Sequence, residues 1–448
     1  MRLSPPVFFL TLMVLVPWKA IAAPNPPYPT TLIFPPYFHS YGIQRASQAK
    51  LAMLLPFTTE FDDPQGIAVT KMIARDDTAT DEDDDEVTVY GVNSGKGELI
   101  YNTSMYGISV WGKKGSGREE MKEPRGVACD PQGNVFICDA GNDRIVRLFN
   151  PKRKVYFVKH LGDGALLRPT HIALDGDGLL YVSDSGHHRI LLMDRDGRVR
   201  REIIRAGSIP VASPSGIALN LRNERYLTHR SRKGASDLDN TLCHVRKDYL
   251  FFLNNSGCAL VRLNLEDNTA ISIRFDGTSK KPLVYEYLAS DYYGNLYLPD
   301  RTRGTIDIYD IELRYLTSFG KSGTGNREFC DPRGICIWKW YGQTFVSEKT
   351  GAQYYWIGTD FSNLKVVEKS SGRFDFSGRL TEPSYLTLNL LQGNDIVQTF
   401  FSKTKAYPGK FSYPLTPAVK GADRLLFTAE PVYSSYKVFK KTDTLKLP

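Results

Sequence analysis

Two Pro-Arg-Gly triplets, Pro124-Arg125-Gly126 and Pro332-Arg333-Gly334, carry the side chains best suited to hold a ligand, together with the histidine of Pro169-Thr170-His171. The arginine fork matches carboxylates in a planar, bidentate way. A mouth bearing Arg125 and Arg333 with His171 beneath them would favour an anionic or polar group. Other arrangements are weaker. His187 and His188 are adjacent, and neighbours along a strand point to opposite faces, so they make a poor joint metal site. Asp175-Gly176-Asp177-Gly178 looks calcium-like in isolation, but it falls between two strand-like runs and reads as a hairpin turn. Gly115-Ser116-Gly117 lacks the strand–helix context of a phosphate cradle. No nucleophile and base stand at a recognisable spacing. The reading expects no catalytic residues, no metal and no cofactor.

These residues recur inside a repeat. Pro124-Arg125-Gly126-Val127-Ala128-Cys129-Asp130 is followed by a Gly-containing turn and by Val135-Phe136-Ile137-Cys138-Asp139. The pattern returns from Pro169 to Asp175 and from Leu180 to Asp184, with further runs at Arg144–Phe149 and Arg189–Met193. Two alternating runs around a tight turn are a hairpin signature. Four strands per unit of about 45 residues match the period of a propeller blade. Divergent units open at Pro64, Pro214 and Pro332, and one more lies around Leu288–Asp291 without the Pro-x-Gly. The second strand of each unit is expected to end on Asn93, Asp139, Asp184, Asn255, Asp300 and Glu348, all residues that can accept from turn amides. Gly112, Gly115 and Gly117 precede Pro124 in the register that Gly320, Gly323 and Gly325 keep before Pro332.

On Pro124 to Ile145 and Pro169 to Ile190 the chain resembles the NHL-repeat β-propellers. The resemblance implies an all-β, six-bladed propeller over residues 51–370, with the first strand of each blade lining a central channel. It places Gln65, Arg125, Thr170, Ser215 and Arg333 on one ring, and His171 on the next, where Gly66, Gly126, Gly216 and Gly334 stand elsewhere. Some propeller lyases sharing this repeat hold zinc with histidines at that level. Zinc needs about three protein ligands, and here His171 is alone. A seventh blade would have to lie within residues 221–285. Lys50–Leu55 is expected to close the ring by pairing with Tyr354–Ile357.

The whole chain has 448 residues, 42% apolar and 24% charged, with a net charge of +8. That is enough to bury a core and too mild a charge to imply nucleic acid. Residues 1–22 read as a signal peptide: Arg2, a short apolar run from Val7 to Val16, then Ala20-Ile21-Ala22. Residues 23–50 are then an N-terminal extension, and no transmembrane segment is expected in the exported protein. An acidic insertion, Asp76 to Glu86, and a polar one at 221–240 read as surface loops. Beyond a junction near Ser371, alternating runs such as Tyr385–Leu391 and Ile396–Phe401 suggest a small β-sandwich over 371–448. It is similar to the immunoglobulin-like domain of flagellar hook-capping proteins. Thirteen Lys/Arg against seven Asp/Glu between 361 and 448 make this end basic.

Export permits a disulfide, and Cys129 with Cys138 is the candidate pair. They are expected to share a face, on a register that sets Cys129 against Phe136. Function is read as a non-catalytic binding or scaffold propeller, extracytoplasmic, for a protein or cell-envelope polysaccharide. The alternative is a propeller enzyme, lyase or lactonase-like, with a metal at the channel mouth.

Overall fold

The computed structural model describes residues 32–33, 45–55, 58–75, 87–103, 107–221, 247–275 and 283–448, apart from 284, 292, 326, 340–341, 371, 420 and 433–439. The segment read as a signal peptide, the two segments read as insertions (from 76 in the acidic one and from 222 in the polar one) and Cys243 lie outside the described residues.

The period-two runs form antiparallel sheets. The second sheet, Pro124–Cys129, Asn134–Asp139, Arg144–Phe149 and Tyr156–Leu161, shows the pattern. Its alternation sends Val127, Val135, Ile137 and Val146 into a core shared with the first sheet. Ala128, Phe136, Cys138 and Ile145 enter a core shared with the third. Both faces are therefore buried, and each fully buried Val, Ile or Phe contributes roughly 1.5–3 kcal/mol. Six such sheets occur among the described residues. Their first strands are Pro64–Thr70, Pro124–Cys129, Pro169–Leu174, Ile217–Asn220, Ala289–Ser290 and Pro332–Trp338. Each packs on the next, and the last packs on the first, so they form a closed ring. Residues 221–285 supply the later strands of one sheet, Tyr249–Asn254, Ala259–Asn264 and Ala270–Arg274, and no seventh among the described residues.

Ring closure differs from the expected pairing. Gln48–Leu54 is a helix, capped by the Ser47 side chain and burying Leu51. Its Gln, Ala, Lys, Leu and Met residues are strong helix formers. The outer strand of the sixth sheet comes instead from Leu32–Ile33, paired with Ile357 and Trp356, and from Arg45–Ser47, paired with Gln353 to Gly351. Leu32–Ile33 and Arg45–Ser47 are thus strands of the ring, not an extension to it.

Past Ile357 the chain enters a second body directly. Phe361–Ser370 pairs with Arg373–Leu380, so this unit begins near residue 361 and not at 371. Its two sheets have three strands, completed by Gly409–Leu415, and four, from Ser384–Gln392, Asp395–Ala406, Arg424–Pro431 and Lys441–Lys446. They share a core of Phe376, Leu386, Leu388, Leu390, Leu425 and Phe427. Glu382 anchors the unit to the fifth sheet, accepting from Tyr297 Oη at 2.5 Å and Asn295 Nδ2 at 3.0 Å.

Candidate functional site

Glycine lets the first strands crowd the axis. A Cβ on Gly126 would stand 2.7 Å from His171 Cα, and one on Gly66 2.5 Å from Arg125 O. Gly216 and Gly334 are hemmed in the same way by Tyr287 and by Gln65 and Gly66. Two side chains fill the space these glycines leave. Tyr287, from the fifth sheet, meets His171 of the third edge-to-face at 4.2 Å and donates its hydroxyl to Gln65 Oε1 of the first at 3.0 Å. A side chain touching both of those sheets crosses the axis. His171 and Tyr287 are each 5% exposed, and together they plug the channel. Both His171 nitrogens lack a hydrogen-bond partner among the described residues. Burial, with the nearby Arg125 charge, pushes the imidazole pKa down to about 3, so it is neutral.

Above the plug, at the end where the first strands begin, lies a chain of alternating charges. Arg333 is held by Asp63 and, at 2.8 Å, by Asp331. Asp331 also takes Arg301 at 2.6 Å, and Arg301 reaches Glu286 at 3.0 Å. The Arg301 guanidinium is pushed above its usual range, first by the Asp331 hydrogen bond. Glu286 stands 3.9 Å from Arg125. Arg333 is 7% exposed and both of its terminal nitrogens are engaged by carboxylates, so it presents no open fork to solvent. Arg125 is the looser cation, its side chain 27% exposed and its carboxylate contact long. The structure thus brings Arg125 and Arg333 to one mouth, with His171 sealed below. It adds Asp63, Glu286, Tyr287, Arg301 and Asp331, none of which the sequence reading singled out. Glu286 and Tyr287 hold the places of Ser215 and Gly216, a match visible once Leu288-Ala289-Ser290-Asp291 is laid on Ile217-Ala218-Leu219-Asn220.

Around this mouth the ends of five second strands tie down the incoming first strand. Asn93, Asp139, Asp184 and Glu348 accept from the backbone N–H of Asp62, Lys122, Leu167 and Cys330. Each of those donors lies two residues before the proline that opens the first strand. In the fourth sheet the acceptor is Asn254, bonded to Ala212 N–H, and not Asn255, which sits one place beyond in a left-handed turn with φ 51°. Asp300 caps Thr302 and Arg303 instead.

Cys129 and Cys138 occupy opposite faces of the second sheet, because Cys129 pairs with Val135 and not with Phe136. Both are free thiols. Alkylation of the unfolded, unreduced protein is therefore expected to label both residues, read by peptide mass. A Cys129–Cys138 linked peptide would overturn that placement.

Among the described residues no three His, Cys, Asp or Glu side chains converge as metal ligands, and no helix is long and apolar enough to cross a membrane. The chain is an all-β ring of sheets followed by a two-sheet unit, and its NHL repeat is matched at residues 166–191. No curated protein matches. Solved structures it is similar to include a virginiamycin B lyase from Staphylococcus aureus, 13% identical, TM-score 0.38, covering 69% of this chain and 94% of that one. A gluconolactonase from Xanthomonas campestris is 12% identical, TM-score 0.43, covering 69% and 93%. Regucalcin, a calcium-binding protein from Agrobacterium tumefaciens, is 12% identical, TM-score 0.42, covering 66% and 90%.

Proposed function

We propose that this is an exported, non-catalytic binding protein that presents the charged mouth of its ring to a protein or cell-envelope polysaccharide. The signal-like segment at residues 1–22 supports the export, and the basic unit from residue 361 supports residence near acidic envelope polymers. The observation that carries the reading is the mouth itself. Asp63, Asp331 and Glu286 fix Arg333 and Arg301, leaving Arg125 half-buried with a loose contact. A guanidinium without a close carboxylate keeps its fork of donors for a carboxylate or hydroxyl of a partner. The immunoglobulin-like kinship of the second unit is proposed with it, as a further adhesive module.

The test is co-sedimentation of the full chain with isolated envelope polysaccharide and with an acidic standard, polygalacturonate. Arg125→Ala should weaken retention about tenfold, which is about 1.4 kcal/mol. Arg314→Ala, at an exposed ion pair with Asp310 far from the mouth, should not change it. Retention that ignores Arg125 but collapses in a Lys403, Lys405 and Lys410 triple alanine variant would place the contact on the second unit.

A further inference from the structure

The second unit holds a buried ion pair that differs in kind from those of the ring. Asp139, Asp184, Asp300 and Glu348, each with a fully buried carboxylate, take an arginine. Asp360, just as buried, takes the amine of Lys441 instead. A guanidinium stays charged and suits buried acids, whereas a lysine amine can lose its proton and act as a nucleophile. The two side chains come from opposite ends of the unit. Asp360 stands directly before the first strand, Phe361–Ser370, and Lys441 opens the last, Lys441–Lys446. Both are held in place. Asp360 N–H donates to Thr381 Oγ1 at 2.9 Å, and its carbonyl accepts from Thr381 N–H at 3.0 Å and from the same hydroxyl at 3.1 Å. Asp360 Oδ1 accepts from Phe361 N–H at 2.7 Å as well as from Lys441. Lys441 pairs with Ala429 in the four-stranded sheet, and its Nζ lies 5.0 Å from the Phe361 ring centroid. Phe361 meets Phe427 edge-to-face at 5.0 Å, so the aromatic core of the unit walls the pair. The Lys441 side chain keeps 21% exposure, which leaves water a way out.

We propose that Lys441 and Asp360 condense to an intramolecular amide, a covalent tie between the two ends of the second unit. The Lys441 ammonium passes one proton to the Asp360 carboxylate, which sets a neutral amine against a carboxylic acid. The Nζ lone pair then attacks Cγ. The bond from Cγ to the hydroxyl breaks, and a second nitrogen proton leaves with that hydroxyl as water. One proton stays on the amide nitrogen. Nothing is oxidised or reduced, and no co-reactant is needed. Out of water the neutral pair costs less to bury than the two ions, so the wall favours the reactive form. Positioning supplies the rest, since well-oriented intramolecular reactions reach effective molarities of roughly 10⁵–10⁸ M. The product removes two charges from the interior. It also closes a loop around the unit, which lowers the entropy of the unfolded chain. Lys441–Lys446 is an outer strand of its sheet, and the tie pins the end at which it begins. Neither the charged mouth nor its partner takes part, so the tie stands or falls independently of the proposed function.

Intact mass of the purified full chain, unfolded in denaturant, tests the proposal. Wild type should weigh one water less than the linear chain. Proteolysis should then release a branched peptide joining Lys441 to Asp360, with no cleavage after Lys441. Lys441→Arg keeps the cation but not the nucleophile, so it should carry its full linear mass and unfold at a lower denaturant concentration than wild type. A wild-type chain of full linear mass would overturn the tie, and that measurement needs no variant to fold. So would a missing water that persists in Lys441→Arg, or one that maps to a succinimide at Asp360 with Lys441 unbranched.

Discussion

Replacing Asp139 with alanine should destabilise the ring by about 3–5 kcal/mol, the cost of breaking a buried ion pair from one side. Asp139 is fully buried, and it serves three partners at once. One oxygen accepts from Lys122 N–H at 2.6 Å, and the other from Asn142 Nδ2 and Arg144 Nε, both at 2.8 Å. Arg144 in turn donates to Ser116 O, Gly117 O and Glu120 O, clamping the loop that leads into the sheet. Without Asp139 that guanidinium is left buried among carbonyl dipoles with no countercharge, and Lys122 N–H loses its acceptor. Asp139→Asn should fall between wild type and alanine. Asn93 and Asn254 already do the backbone half of the job with an amide, in sheets where Glu98 or Ala259 stands in place of the arginine. Chemical denaturation measures the ladder directly. An alanine variant whose midpoint matches that of Asp194→Ala, at an exposed pair with Arg200, would refute the clamp.

The sixth sheet repeats this clamp with a borrowed part. Glu348 accepts from Cys330 N–H and pairs with Arg45, which also donates to Thr324 O. Thr324 matches Ser116, and Glu328 holds Gly325 N–H as Glu120 holds Gly117 N–H. Gly115 and Gly323 sit at φ 153° and 157° in the two loops, the left-handed side that their shared glycine spacing requires. That spacing could be read from the chain, as could the hairpins, because turns and period-two strands are local. Arg45 could not. It lies in a strand of three residues, far too short to show a period, and its partner is about 300 positions away. The neighbouring Gln48–Leu54 was open to misreading for a related reason: a short apolar run suits helix or strand equally, and the Ser47 cap decides it. The mouth was legible only in part. Repeat register locates Arg125 and Arg333, but the acids that neutralise Arg333 lie at Asp63 and Asp331, just outside the matched triplets. Tyr287 hid because the fifth sheet lacks the Pro-x-Gly landmark that would have aligned it.

The joint between the two bodies should weaken as pH rises, and Glu382 should be the cause. Its carboxyl is 1% exposed, bonded to Tyr297 and Asn295, and Asn295 Nδ2 also bonds Asp291 at 2.8 Å. Burial first, and the Asp291 charge second, push the Glu382 pKa well above its ordinary 4.5. Burial raises Asp291 as well. Cations are engaged elsewhere at this junction, where Lys441 pairs with Asp360. The folded joint therefore binds more protons than the unfolded chain. Its stabilisation is complete below the ordinary carboxyl pKa and is lost as pH climbs through the raised value. Glu382→Gln keeps an oxygen for the Tyr297 hydroxyl and removes the charge. At about pH 8 the variant should melt higher than wild type, and hydrogen exchange around Thr381 to Ser384 should be slower in the variant. At about pH 5, where the wild-type carboxyl carries its proton, the advantage should vanish or reverse, since an amide serves Asn295 less well than a carboxylic oxygen does. Wild type and variant with parallel melting profiles across that range would show that the carboxyl is charged in the joint at every pH, and would overturn the protonated pairing.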